Sequence, residues 1–139
     1  MRSVNSSLQT AYFTLLSTIT GATIYDVVPE NPSFPYIQIS DNTKTDFVTK
    51  SSFGEEVTQE LWIVDRFSGS FGSRVKVNNL LDSVQQVIRA RPNPFNLTDY
   101  NVITNTLDIV IFSRERTETH TYLRYEVRFR HLIQHLNYS

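Results

Sequence analysis

Two segments carry apolar residues at the spacing of an amphipathic helix. In residues 8–19 the apolar positions are Leu8, Ala11, Tyr12, Leu15, Leu16 and Ile19. In residues 77–88 they are Val77, Leu80, Leu81, Val84, Val87 and Ile88. Residues three and four apart lie on one side of a helix, where they can pack against a core. The sequence therefore predicts two helices, the first ending before Gly21 and the second near Arg89, where Pro92 and Pro94 prevent continuation.

The remaining patterned segments alternate between apolar and polar residues, as strands do. Strands are predicted at residues 23–28, 36–40 and 57–65, the last two pairing antiparallel, with Val57, Gln59, Leu61 and Ile63 on one face. A further strand places Ile103, Asn105, Leu107, Ile109 and Ile111 on one face, and the last does so with Leu123, Tyr125, Val127, Phe129 and His131. The order α-β-β-β-α-β-β predicts an α+β fold in which two helices cover an antiparallel sheet, as one domain over residues 1–139.

A polar segment, residues 41–56, separates the second and third predicted strands and is here called the arm. It is longer than a usual hairpin connection, so either the two strands extend outward as a projecting β-hairpin or the loop is mobile. Its two aromatic residues, Phe47 and Phe53, stand in otherwise polar surroundings. We expect the arm to project and to become ordered on a neighbouring subunit by burying these two rings.

Composition narrows the possible functions. The 139 residues include 13 Lys plus Arg and 14 Asp plus Glu, so the formal net charge is −1 and no overall field draws the chain to DNA. There is no cysteine, which excludes disulfides and thiolate sites. We find no signal-peptide pattern and no run approaching the roughly 20 apolar residues of a membrane span. We therefore expect folding in a cytoplasm and no membrane partner.

Candidate catalytic and metal-binding groups are few. His131 and His135 have the spacing of zinc ligands on a helix, but on a strand they lie about 13 Å apart. A small metal-dependent nuclease using Asp65 with Glu55 and Glu56 is the alternative left open, although adjacent strand residues point to opposite faces. The sequence predicts no catalytic residue, no cofactor-binding residue and no metal site, and hence a protein that is not an enzyme.

Arginines follow one face of the last predicted strand, at positions 124, 128 and 130, with Glu126 between them. This arginine row, Arg124, Arg128 and Arg130, has three interpretations. It is a solvated sheet face, a charged surface for another subunit or partner, or a site of phosphate contact. The residues alone do not choose among these.

A series of residues spread over most of the chain resembles one protein family. It comprises Ile24-Tyr25-Asp26, Pro29, Pro35-Tyr36-Ile37, Thr43, Thr45-Asp46, Lys50, Gly54, Glu56-Val57, Leu61-Trp62 and Tyr125-Glu126-Val127-Arg128-Phe129-Arg130. In this order they resemble the tail terminator or tail-completion proteins, which join head to tail in long-tailed bacteriophages.

The resemblance implies a non-catalytic structural protein of α+β fold in the virion, assembled in the bacterial cytoplasm. It implies a ring, a hexamer, that caps the head-proximal end of the tail tube, stops its polymerisation and meets the head connector or stopper. DNA would pass through the lumen without specific binding. Another neck, connector or tube subunit is the alternative structural role. The expected interface residues are Lys44, Thr45, Asp46, Phe47, Lys50 and Phe53 of the arm, with Arg124, Arg128 and Arg130.

Overall fold

The chain forms two helices and five strands in the predicted order. The computed structural model describes residues 4–48, 53–69, 72–90, 93–95, 97 and 100–135, with the backbone alone at residues 4, 5, 46–48 and 53. The elements are α1 Val4–Leu16, β1 Thr23–Tyr25, β2 Tyr36–Val48, β3 Phe53–Ser68, α2 Val75–Ile88, β4 Tyr100–Arg116 and β5 His120–His135. The predicted α+β class and element order are therefore confirmed.

The strands form one sheet in the order β1-β2-β3-β5-β4. Three neighbouring pairs are antiparallel, but β1 and β2 are parallel, with Thr23 level with Tyr36. The sheet is thus mixed, and the prediction of an antiparallel sheet is wrong for this pair. After β1 the chain returns to the same end of the sheet through residues 26–35 before β2 begins, as a parallel pair requires. A strand of three residues carries no pattern from which its direction could be read.

The arm is a continuation of the sheet. The strands β2 and β3 stay paired through Val48 and Phe53, which confirms the alternative in which the two strands extend. On its other side β3 pairs with β5 from Gly54 onward. Among the described residues, only the Val48–Phe53 pair extends past this shared region, so the predicted projection is much shorter than residues 41–56. The arm therefore exposes the outer edge of β2.

Both helices cover one face of the sheet, called here the covered face. The helices supply their predicted apolar stripes, with Leu8, Tyr12, Leu16, Val77, Leu80, Val84 and Ile88 all buried. The sheet contributes alternate residues of β3 and β5 to the same core, including Leu61, Ile63, Val127 and Phe129, each fully buried. Phe95 and Leu97 close this core from the loop after α2. The opposite side, called here the open face, has no helix over it among the described residues.

Two β-bulges change which side chains of β4 face the core. The register of β4 against β5 shifts between Val102 and Thr104, and again between Leu107 and Ile109. An extra residue reverses the alternation of side chains between the two faces. Leu107 therefore pairs with Phe129 on the covered face, whereas from Ile109 onward the odd-numbered residues lie on the opposite face. Ile109 and Ile111 consequently lie on the open face, 39% and 43% exposed. The prediction of one shared face for residues 103–111 is wrong for this reason.

Candidate partner and subunit interfaces

The arginine row lies on the open face. Successive side chains of a strand point to opposite sides, so burying Leu123, Val127 and Phe129 under the helices directs the residues between them outward. The outward set on β5 is Tyr122, Arg124, Glu126, Arg128 and Arg130. The structure thus brings the three predicted arginines together on one surface.

Arg124 is held by an aromatic ring and a hydroxyl group. Its guanidinium carbon lies 4.2 Å from the centre of the Trp62 ring, which is a cation–π contact. Its Nε donates to Ser113 Oγ at 3.3 Å. The indole Nε1 of Trp62 in turn donates to Glu60, the neighbouring outward residue on β3. Stacking on the indole fixes the arginine flat on the sheet.

The other two arginines are paired with carboxylates of their own chain. Arg128 Nη2 lies 3.5 Å from Glu126 Oε1. Arg130 reaches two strands at once, with Nε 3.1 Å from Glu56 Oε1 and Nη2 2.8 Å from Asp108 Oδ1. These carboxylates already occupy the donors that a phosphate would need, and their charge cancels the local positive field. This arrangement favours a mixed-charge protein-binding surface over phosphate contact.

An aromatic cluster at one end of the open face was not predicted. The ring of Phe34 lies 5.3 Å from that of Tyr36 and 6.2 Å from that of Tyr122, and the Arg66 guanidinium lies 4.5 Å above it. Burial raises the pKa of Tyr36, so its phenol stays a neutral donor at physiological pH. The members come from the segment before β2 and from β3 and β5, so no spacing in the sequence relates them. Only the strand order brings them together.

The predicted arm residues are placed only in part. Lys44 Nζ lies 3.5 Å from Glu55 Oε1, and Thr45 is exposed opposite Glu56. Asp46, Phe47 and Phe53 lie on β2 and β3, and their side chains fall outside the described residues, as does Lys50 altogether. The expected burial of Phe47 and Phe53 on a neighbour therefore stays a prediction.

Glu55 is a buried carboxylate at the base of the arm. It is 6% exposed, and its Oε1 faces both Lys44 and His135, whose Nε2 lies 3.6 Å away. Asp65 is buried near the other end of the same strand, 3% exposed, with Oδ1 accepting from the amide of Arg66. Ten residues of strand separate the two carboxylates by about 33 Å, so they cannot bind one ion within a chain. In the described ranges no three His, Cys, Asp or Glu side chains are placed to hold a metal.

His131 belongs to a buried hydrogen-bond chain whose direction can be worked out. The carbonyl of Val102 only accepts, so Asn93 turns its Nδ2 toward it at 2.6 Å and uses Oδ1 to accept from Asn105 Nδ2 at 3.1 Å. Asn105 Oδ1 then accepts from His131 Nδ1 at 2.7 Å, which leaves Nε2 as the acceptor for the Tyr12 hydroxyl. Burial lowers the pKa of His131 to about 4 and raises that of Tyr12. This neutral histidine ties α1 to β4 and β5, with its ring nitrogens used in the chain.

Comparison with protein families decides the identity of the chain. The family model described as tail completion protein gp17 matches residues 13–134. The chain belongs to the tail completion protein gp17 family. The match begins within α1 and runs to the end of β5, so it includes the arm and the arginine row. No match was found among curated protein sequences.

A solved structure shares the fold of this tail completion protein. A chain from the virion of a native gene transfer agent particle superposes with a TM-score of 0.75 at 15% identity, covering 96% of this chain and 99% of that one. The bacteriophage SPP1 gp17 protein matches with a TM-score of 0.47 at 23% identity, covering 89% of this chain and 88% of the other. The first similarity extends the α+β architecture to a particle-associated protein of different sequence.

Family membership confirms the resemblance drawn from the sequence. The chain is a structural protein of the bacteriophage tail, with a role in tail completion. No helix in the described part of the chain is long and apolar enough to span a membrane.

Proposed function

We propose that this tail completion protein forms a hexameric ring on the head-proximal end of the tail tube. The ring ends tube polymerisation on one side and offers the head connector a different surface on the other. DNA passes through its lumen without specific binding. The observation that carries the proposal is the family match over residues 13–134, which takes in every candidate interface element.

The open face supports a role in protein binding. It combines the Trp62–Arg124 stack, the Phe34 cluster and the exposed Ile109 and Ile111, a mixture of aromatic, arginine and aliphatic groups that is enriched at protein interfaces. Arg128 and Arg130 are already paired with carboxylates of the same chain, so a partner can cover these two charges without leaving them as buried, unpaired ions. A rigid core beneath the sheet keeps this surface in one shape, as a ring of identical subunits requires.

The carboxylate geometry supports a role without catalysis. The nuclease alternative needs Asp65 to act together with Glu55 and Glu56, yet β3 holds these groups near opposite ends of one strand. The buried histidine that resembled a metal ligand is used in the Tyr12–His131–Asn105 chain. The proposed activity therefore resides in shape-matched contacts.

Unfinished tails made without this protein provide the decisive assay. Adding the purified chain should fix tube length and make tails competent to join heads, as measured by electron microscopy. If the tubes lengthen instead, the chain is a tube subunit. If heads join while tube growth continues, it is a connector component, and the capping proposal is wrong.

The arm can be shortened without disturbing the rest of the sheet. Replacing residues 48–53 by Asn-Gly closes the hairpin at the Phe47–Gly54 pair with a two-residue turn and keeps every β3–β5 pair. We expect a folded protein, with unchanged circular dichroism, whose capping of tails is reduced at least about tenfold, equivalent to about 1.4 kcal/mol. Glu118→Ala, in the turn at the opposite end of the sheet, is the matched control. Full capping by the shortened chain would remove the arm tip from the proposal.

A further inference from the structure

The sheet has two different free edges. One is β4, the last strand in the order, which pairs only with β5 among the described residues. The other is the outer half of β2. On that side of β2, β1 pairs only with Tyr36, Ile37 and Gln38, and residues 40–48 have no described strand beside them. Free edges carry rows of unpaired backbone N–H and C=O groups that can accept another strand.

These two edges lie at the same level of the sheet. Thr43 pairs with Thr58, Thr58 with Arg130, and Arg130 with Thr106, so one row of residues crosses the whole sheet from β2 to β4. The successive antiparallel pairs also fix the strand directions. Because β2 and β5 run one way and β3 and β4 the other, a second copy in the same orientation would set its β2 antiparallel to the first copy's β4.

The longest uncharged stretch of the β4 edge is its first half. Residues 100–107 contain no charged residue and no proline, whereas residues 108–116 carry Asp108, Arg114, Glu115 and Arg116. Charges are the usual device that keeps an edge strand from pairing with another chain. Ile103 in the uncharged stretch is 47% exposed. This part of β4 has the character of a strand that is covered in the assembled protein.

A groove runs beside the same stretch. It has a volume of about 510 Å³ and lies between the last turns of α2 and residues 103–106 of β4. Gln85, Gln86 and Arg89 line its other wall with polar groups that can bond to an extended polypeptide, whereas Asn93 beside them is already bonded to Val102 and Asn105. The groove therefore offers a strand both a backbone ladder and side-chain donors.

We propose that the β2 edge of one copy, residues 42–48, adds antiparallel to residues 103–106 of the next copy, within this groove. The inference rests on the proposed ring, and it names the surfaces that join neighbouring subunits. Because the two edges are different patches on opposite sides of the molecule, the contact is head-to-tail, and it closes into a ring when the rotation from copy to copy divides a full turn evenly and involves no rise along the axis. The sheet then continues from copy to copy.

The absence of cysteine allows a direct test by disulfide trapping. We expect Thr43→Cys/Thr106→Cys to give a ladder of disulfide-linked oligomers on mild oxidation, both in concentrated protein and on tails. Residues opposite each other on paired strands have Cα atoms about 4.5–5.5 Å apart, within the range for a disulfide. Thr45→Cys/Thr106→Cys tests the alternative pairing in which β2 is displaced by two residues, which keeps the two cysteines on the same face. Gln9→Cys/Thr106→Cys, with the first cysteine on the exposed side of α1, should give no ladder.

A charge in the groove provides a second test. Ile103→Lys should raise the concentration needed for ring formation by about tenfold or more, because an uncompensated charge would be buried in the contact. Val75→Lys, at the exposed start of α2 and away from the groove, is the matched control and should change this concentration less. Circular dichroism should show both variants folded.

The outcomes separate this interface from the proposed function. If rings form and tails are completed while neither threonine pair gives a ladder, the edge pairing is wrong and the ring stands. If Ile103→Lys and Val75→Lys weaken ring formation equally, the groove is not part of the contact between copies. If no rings form and tails are not completed, the proposed function itself fails, and the edge pairing fails with it.

Discussion

The two faces of β5 differ in the side chains they carry and in how those side chains are stabilised. On the covered face, Leu123, Val127 and Phe129 are fully buried beneath the helices. On the open face, Arg124 and Arg130 contact residues of neighbouring strands, and Arg128 pairs with Glu126 of β5 itself. Burial of apolar area stabilises the fold, whereas exposed ion pairs contribute little. The comparison indicates that the covered face holds the protein together, and it agrees with the proposal that the open face binds partners.

The covered face also buries several polar side chains, and His131 is one of them. His131 is fully buried among apolar side chains, and its two ring nitrogens are bonded to Tyr12 and Asn105. A neutral imidazole with both nitrogens bonded can be buried at modest cost, but a charged one would need a different set of partners. The covered face is therefore sensitive to pH in a way that the paired charges of the open face are not.

The largest expected effect comes from breaking the covered face. Phe129→Ala should reduce the free energy of unfolding by about 3–5 kcal/mol, because it removes a fully buried ring and leaves a cavity. Arg128→Ala, at the adjacent position on the open face, should reduce the free energy of unfolding by less than about 1 kcal/mol. Urea unfolding followed by circular dichroism measures both. Similar losses for the two variants would contradict the division of roles between the faces.

A smaller effect is expected from protonating His131. Its pKa is lowered from 6.5 to about 4 in the folded protein, so the unfolded chain binds the proton more readily between these values. Stability is therefore fully present above pH 6.5 and falls as the pH drops, by about 3 kcal/mol at pH 4. His131→Gln should be less stable at pH 7 and should lack this part of the pH dependence. Parallel unfolding curves for the two proteins from pH 7 to pH 4 would exclude the histidine as its source.

The smallest effect is expected from the ion pairs of the open face. A double-mutant cycle with Arg130→Ala and Asp108→Ala should give a coupling energy of about 0.2–1 kcal/mol, decreasing with added salt, because the arginine side chain is 49% exposed. Urea unfolding at low and high salt provides the measurement. A coupling well above this range, independent of salt, would mean that the pair is more strongly desolvated than the open face allows.

The sequence predicted the helices and strands better than it predicted how the strands pair. The helical stripes of α1 and α2 and the alternation of β3 and β5 are local patterns, and each is found where it was predicted. The interruption of β4 by bulges was missed, since an extra residue reverses the faces without leaving a mark in composition. The parallel direction of β1 was missed for a similar reason, because a short strand pairs equally well by pattern in either direction.

The candidate interface was predicted only in part. The arginine row was visible as alternate residues on one strand, but its pairing with Glu56 and Asp108 depends on which strands flank β5. The Phe34 cluster joins residues 34, 36 and 122, and no sequence spacing relates them. Family membership confirmed the tail-completion role, while the interface residues of the arm stay predictions.

By itself the sequence determined the type of each element and which face of α1, α2, β3 and β5 is buried, because periodicity records the local geometry of a helix or strand. It also carried the likeness to tail completion proteins. The tertiary structure alone decided which strands are neighbours, which edges remain free and which charges cancel. Backbone hydrogen bonds are chemically the same at nearly every residue, so strand pairing follows from how all the elements pack together.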